Sequence, residues 1–553
     1  MTNTFQISGH IVDPLNRKIF DASLIIVDGH ITSIIPVDDL NDTAPYILPG
    51  FIDAHVHIES SMLLPENFAR LAVRHGTIGV VADPHEIANV LGIPGIDFMI
   101  ENGSHVPFHF CFGAPSCVPC TAKETSGATL DATAIHALMQ RQNIHFLAEM
   151  MNVPGVLFND PDTLAKLAAA REVGKPIDGH APGLTGDGLR RYAAQGISTD
   201  HECTTLAEAQ TRLAVGMKVL IREGSAAQDF EALSPLLADN ADSLMFCSDD
   251  LHPDNLMRGH INLLVRRAIA KGYPLWNVLR AACVTPVRHY RMQCGLLQYG
   301  DSADFILVDN LTEFNVIATC IRGNVYNSLT KLPLSGSWTR NNWPNNFHAE
   351  PIAVNDLHVT PRTQRVRVIT AFNGSLLTGQ EIMDVKAVNG NVVSDPERDM
   401  LKIIVLNRYG KDHPAMGFIK GFGLKEGAIA STIAHDSHNI VAIGTTDEAI
   451  AAAVNHVIEL KGGIVVARND GQGGFLFDEL PLPIAGLISS MSHKNVSTAY
   501  ARLNDKAHAL GCTFDAPFMT LAFMALPVIP ELKMTDHGLF DVARFEHTSR
   551  FVE

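Results

Sequence analysis

The sequence predicts an α/β protein. Its centre is a (β/α)8 barrel of the TIM type, with a small flanking β-domain and a C-terminal α+β domain. Three observations predict it. Eight short apolar runs alternate with amphipathic stretches over roughly 240 residues, the count and length of such a barrel. Histidines and carboxylates stand at the C-terminal ends of several of those runs, where barrel active sites are assembled. Short strand patterns with turn signals lie on both sides of the alternating region.

The strand-like runs are Ile47–His57, Thr77–Asp83, Val106–Gly113, Ile144–Met151, Pro176–His180, Ile197–His201, Met217–Glu223 and Leu244–Asp249. Glu66–His75, Ala132–Arg141, Pro161–Glu172, Gly186–Ala194 and Leu206–Val215 read as the intervening helices. A doubly wound sheet is the competing arrangement; the number eight and the polar strand ends favour the barrel. Before it, Phe5–Val12, Ala22–Val27 and His30–Ile35 read as strands, the last two joined by the turn Val27-Asp-Gly-His30. After it come Asp304–Asp309 and Val316–Arg322, which join the first set in one β-domain. Ser335 to Asn346, rich in Trp, Asn and Pro, reads as a linker. Beyond it, strands are expected at Gln364–Thr370, Leu401–Asn407, Ile440–Ile443 and Gly462–Ala467. A helix opens there with a capping box from Thr445 to Glu448. The expected division is 1–49 with 291–345 for the β-domain, 50–290 for the barrel and 350–553 for the C-terminal domain.

Composition narrows the function classes. Of 553 residues, 46% are apolar and 18% charged, which excludes wholesale disorder. The formal net charge of −17 speaks against nucleic-acid and anionic-membrane partners. No apolar run approaches the ~20 residues that span a bilayer. The opening Met1–Gly9 has neither a basic nor an apolar stretch, so no secretory signal is expected. Nine cysteines form an odd, dilute set, as in a reducing compartment. These features predict a soluble, cytoplasmic protein. Its 25 histidines are the unusual count.

The strongest chemical signal is Pro49-Gly-Phe-Ile-Asp-Ala-His55-Val-His57. Side chains alternate along a strand, so both imidazoles point to one side. Glu149, His180, His201 and Asp249 end the fourth, fifth, sixth and eighth runs. Each alone is more often structural. Together, four imidazoles and two carboxylates suit a two-metal site, with Glu149 as the bridge and Asp249 as a terminal ligand. A rival pattern, His57-Ile-Glu59 with Pro115-Ser-Cys117-Val-Pro-Cys120, approaches the single-zinc base deaminases. The intervening serine, the long gap and the eight alternations speak against it.

Asp53 to Met62 (DAHVHIESSM), Ala82 to Val90 (ADPHEIANV), Pro115 to Pro119 (PSCVP) and Ala148 to Asn152 (AEMMN) resemble the adenine deaminase family of the amidohydrolase superfamily. In the second domain Lys420 to Ser431, Ala434 to Asn439, Pro481 to Gly486 and Phe523 to Pro530 match too, so the resemblance covers nearly the whole chain. It implies hydrolysis of adenine to hypoxanthine and ammonia by two divalent ions, Mn2+ or Fe2+ with Zn2+ an option, and it implies a homodimer. A related amidohydrolase acting on an N6-substituted adenine is the alternative, and a non-catalytic barrel scaffold the remote one.

Chemically, Asp249 accepts a proton from the attacking hydroxide and delivers it to the departing nitrogen. Glu86 is the candidate acid at the ring nitrogen, with Glu59 in reserve. Ser60, Arg222 and Glu223 lie near strand ends and are expected to line the substrate pocket. His435 and His438 are expected to form a pocket wall or a hydrogen-bonded turn.

Overall fold

The structure, a computed structural model, describes residues 4–327, 332–333 and 342–553. Residues 335–341 of the expected linker lie outside them.

The barrel strands are Phe51–Val56, Thr77–Ala82, His109–Ala114, Phe146–Met150, Ile177–Gly179, Thr199–Asp200, Lys218–Arg222 and Leu244–Cys247. The first five pair in parallel in order, as do the last three. The ring closes through a parallel bridge between Val56 and Asp249. At the other seam the Ser198 N–H donates to Ile177 O at 2.9 Å. Both faces of the second strand, Thr77–Ala82, are buried, which explains its apolar run Ile78 to Ala82. Ala54, Val81, Cys111, Phe146, Ala148, Leu220, Met245 and Cys247 fill the lumen, each large one contributing roughly 1.5–3 kcal/mol of burial.

One expectation needs correction. The run Ile47–His57 is two strands in two sheets. Tyr46–Pro49 pairs with Thr4–Asp13 and Phe305–Val308, and only Phe51–Val56 enters the barrel. Gly50 makes the break possible, since a Cβ there would lie 2.3 Å from Ile78 Cγ2. The flanking sheet has seven strands, in the order Asn324–Tyr326, Val316–Ile321, Phe305–Val308, Tyr46–Pro49, Thr4–Asp13, Lys18–Val27 and His30–Pro36.

The C-terminal region is built on a nine-stranded mixed sheet whose centre is Leu401–Leu406, Ile440–Gly444 and Ala428–Ser431. Helix Asp447–Leu460 covers one face through Ile450, Ala453, Val454 and Val457. Its cap differs from expectation by one residue: Thr446 Oγ1 accepts from the Ala449 N–H at 3.1 Å, while Thr445 Oγ1 donates to Gly427 O. The other sheet face, with Ile403, Val405, Ile429 and Ile443, shares one apolar core with Ile58, Met62, Leu63 and Phe68 at the barrel mouth. Polar contacts fix that docking: Asn439 Nδ2 donates to Thr125 O at 2.9 Å and the Ser489 N–H to Met62 O at 3.0 Å. The C-terminal region therefore sits over the catalytic end of the barrel.

Candidate functional site

The backbone fixes the first two histidines before any side chain acts. Asp53 accepts from the Ser248 N–H at 3.0 Å and from His260 Nε2 at 2.8 Å, tying the first strand to the eighth. The Asp249 N–H donates to His55 O at 2.9 Å. His55 and His57 thus face Asp249 across the seam. Their Nε2 atoms lie 3.2 Å apart, and His57 Nε2 is 3.1 Å from Asp249 Oδ1 and 3.5 Å from Glu149 Oε1. His57 Nδ1–H donates to Asp83 O at 3.1 Å, which orients the ring with Nε2 towards the two carboxylates.

Glu149 lies at the centre. His180 Nδ1 is 2.8 Å and His201 Nε2 3.2 Å from its Oε2, and His85 Nδ1 is 3.3 Å from its Oε1. The six sequence-predicted ligands, His55, His57, Glu149, His180, His201 and Asp249, are brought together and are 13% exposed or less at the side chain. The structure adds His85, Asp83 and Glu202. His57, Asp83, His85 and Glu149 form one group able to hold a cation; His55, Glu149 and His201 form another. His180, His201 and Glu202 form a third. The three additions had a signal: Asp83 directly follows the second barrel strand with His85 two residues beyond it, and Glu202 stands beside His201.

The donors fit divalent ions. Burial, then His201 and His57, hold His55 well below the ordinary histidine range, so it is neutral as a ligand must be. Its Nδ1 is buried with no hydrogen-bond partner among the described residues. Burial alone would raise Glu149 and Asp249. His180 leads the groups that hold Glu149 well below the carboxylate range, and His57 leads those that hold Asp249 there. Two anionic carboxylates among converging imidazoles form a cation cage.

The remaining candidates divide. Arg222 Nη1 reaches Asp249 Oδ2 at 2.9 Å and Glu202 more closely, and its Nε reaches Asp229 at 3.0 Å. It lines the cleft, but those nitrogens are committed to carboxylates. Glu223 turns the other way, as strand alternation requires of the next residue, and pairs with Arg267; this corrects its expected place in the substrate pocket. Ser60 Oγ donates to Asp250, itself a cleft residue that the sequence reading did not single out.

Glu86 also needs correction. Its Oε1 is 2.6 Å from His435 Nδ1 and its Oε2 is closer still to His438 Nε2. Burial would raise this carboxyl, but His435, then His438 and His85, hold it well below its usual range. A carboxylate so placed is an acceptor, not an acid. Burial would lower His435, but Glu86 and then Asp250 raise it to about 9. Glu59, the reserve, is pushed by burial to about 7, and its Oε1 accepts from the Ile87 N–H. Cys117 packs with Val118 and Leu130, while Cys120 Sγ donates to Glu124 at 3.4 Å, so the cysteine pair has ordinary partners.

The cleft between these groups encloses a cavity of about 40 Å³. Its polar wall comes mainly from the barrel. Its apolar wall comes from Met151 and, in the C-terminal region, Leu376, Phe523, Leu526 and Ile529. The ring of Phe523 stacks on His435 at 4.4 Å and 16°.

The profile described as the amidohydrolase family matches residues 46–326, and that described as the adenine deaminase C-terminal domain matches 375–546. A relative named adenine deaminase from Salinibacter ruber is 51% identical over 555 residues, covering 100% of both chains. One of the same name from Methanosarcina mazei is 48% identical over 565 residues, covering 99% of each. Among solved structures, a beta-aspartyl dipeptidase from Fervidobacterium islandicum AW-1 aligns with a TM-score of 0.45 at 14% identity, over 60% of this chain and 99% of that one.

Proposed function

We propose the following for a chain that belongs to the adenine deaminase family of the amidohydrolases: each cluster residue has a distinct task in the hydrolysis of adenine to hypoxanthine and ammonia. The chain is a hydrolase, and adenine deamination is its reaction. The observation that carries the assignment of tasks is the convergence on Glu149 of four imidazoles, from His57, His85, His180 and His201.

His55, His57, His180, His201, Glu149 and Asp249 would hold two divalent ions, and His85 lies close to Glu149. Manganese or iron is the expected metal, and zinc suits the same donors. When bound, such ions supply a hydroxide nucleophile at neutral pH and help to charge-stabilise the transition state.

The chain's own residues do the rest. Asp249, kept anionic by His57 and Arg222, accepts the proton of the attacking water and returns it to the leaving nitrogen. Glu86 accepts the His435 Nδ1–H and so holds a proton on that ring. Nε2 of the same ring, with no protein partner among the described residues, is the donor offered to a purine ring nitrogen. Asp250, anchored by Ser60, faces the same space. The apolar wall covers the base and excludes bulk water, which strengthens these interactions.

Nine unpaired cysteines support a cytoplasmic setting, and a homodimer is carried over from the family. Adenine turnover followed by ultraviolet absorbance, with added Mn2+ and with chelator, tests the reading. Turnover should require the metal and exceed that of N6-methyladenine; turnover indifferent to chelation would refute it.

A further inference from the structure

Lys533 is the most unusual charged group outside the cluster. Its residue is 0% exposed, and no carboxylate pairs with it among the described residues. Burial pulls its pKa down to about 7, with no neighbouring charge opposing that shift. An isolated buried ammonium is costly unless its donors are taken up. Here they are taken by two main-chain carbonyls: Nζ donates to Leu376 O at 2.8 Å and to Phe523 O at 3.0 Å.

Those carbonyls belong to two residues of the cleft's apolar wall. They come from segments 147 residues apart in sequence, the stretch before strand Thr378–Asp384 and the last residue of helix Pro517–Phe523. The Phe523 carbonyl lies at a helix end, where it also accepts from the Leu526 N–H at 3.4 Å, so a cation there complements the helix dipole. A second clamp reinforces the first: Thr378 Oγ1 donates to Leu532 O at 2.8 Å, tying the Leu376 segment to the strand that carries Lys533. From Phe523 the contact passes to His435 through the stacked rings, and from His435 to Glu86.

We propose that Lys533 is a positioning residue that sets the apolar wall of the cleft, through Leu376 and Phe523, at the distance that grips the purine base. The inference rests on adenine being the substrate. It assigns no chemical step to the lysine. The wall that Lys533 holds supplies substrate contact, kept equally in ground and transition states, so loss of the lysine should appear in KM and hardly in kcat. A purely structural lysine would change stability and leave that ratio alone.

The test uses the full-length, metal-loaded enzyme. Lys533→Met keeps the apolar stem and removes the donors; Lys533→Gln keeps two N–H donors on a shorter stem and serves if the first variant does not fold. The expected result for Lys533→Met is a KM for adenine raised about tenfold, kcat within about twofold and metal content unchanged, with Lys533→Gln in between. Phe523→Leu should raise KM similarly. Combined with Lys533→Met it should add little, because both changes release the same wall. A folded Lys533→Met or Lys533→Gln protein with KM unchanged, or fully additive effects with Phe523→Leu, would overturn the inference. Absence of adenine turnover by the wild type would instead refute the functional reading.

Discussion

Arg212 invites a direct experiment because the loops carrying His180 and His201 both hang from it. It and Asp200 are both 0% exposed. Its Nε donates to Asp200 Oδ2 at 2.8 Å, and its two terminal nitrogens donate to Ala181 O and Leu184 O. Asp200 precedes His201 and accepts from the Glu202 N–H at 3.0 Å; Ala181 follows His180. Replacing Arg212 by Met keeps most of the stem's packing and leaves Asp200 buried without its cation. Breaking a buried pair from one side costs about 3–5 kcal/mol. Each stranded carbonyl adds roughly 1–3 kcal/mol where water cannot reach it. Taking about 3–5 kcal/mol as the working figure and about 2–4 °C per kcal/mol for a unit of this size, the barrel transition should fall by roughly 6–20 °C. Calorimetry and denaturant unfolding read that shift. Adding Asp200→Asn should recover a large part of it, because the stranded charge is then gone. Metal analysis should show weakened binding, since His180 and His201 lose a common anchor. A Lys-free, Arg-free position 212 that left stability within about 1 kcal/mol of wild type, with full metal content, would refute the reasoning.

The other predictions concern the metals, the second domain and pH. Glu149→Gln should lose metal, whereas Asp249→Asn should mostly keep it and lose turnover, as metal analysis beside an adenine assay would show; full turnover by Asp249→Asn defeats its assigned role. A fragment of residues 1–345 should be inactive even if metal-loaded, because Leu376, His435, Phe523, Leu526 and Ile529 go with the rest; near wild-type turnover would disprove that dependence. His289 is held by burial at about 4, below the ordinary value of about 6.5, so its neutral form is favoured by folding. The unfolded chain then binds more protons between those values. This contribution is complete above pH ~6.5 and lost as pH falls towards ~4. His289→Gln should therefore lose less stability than wild type between pH 7 and 5, as paired denaturant titrations would reveal.

How much of this was legible beforehand depends on the range of the forces involved. Local pattern determined the eight alternating runs, the histidines and carboxylates at strand ends and the helix beginning near Thr446, since side-chain alternation, helical periodicity and capping act over a few residues. Side-chain pattern reads Ile47–His57 as one strand, because the break within it depends on how closely Ile78 approaches Gly50. It could not aim Glu223 away from the cleft either, as that follows from the inward turn of Arg222 towards Glu202, Asp229 and Asp249. The role of Glu86 lay furthest out of reach. Spacing alone makes it a free carboxyl after a strand, a reasonable acid. Only the docking of His435 and His438, some 350 positions later, turns it into an anion clamped between imidazoles. By itself the sequence determined which chemical groups stand at the barrel's catalytic end. Their protonation, and the apolar wall that Lys533 ties together, were decided by tertiary structure, because burial and charge pairing are set by neighbours that chain distance does not reveal.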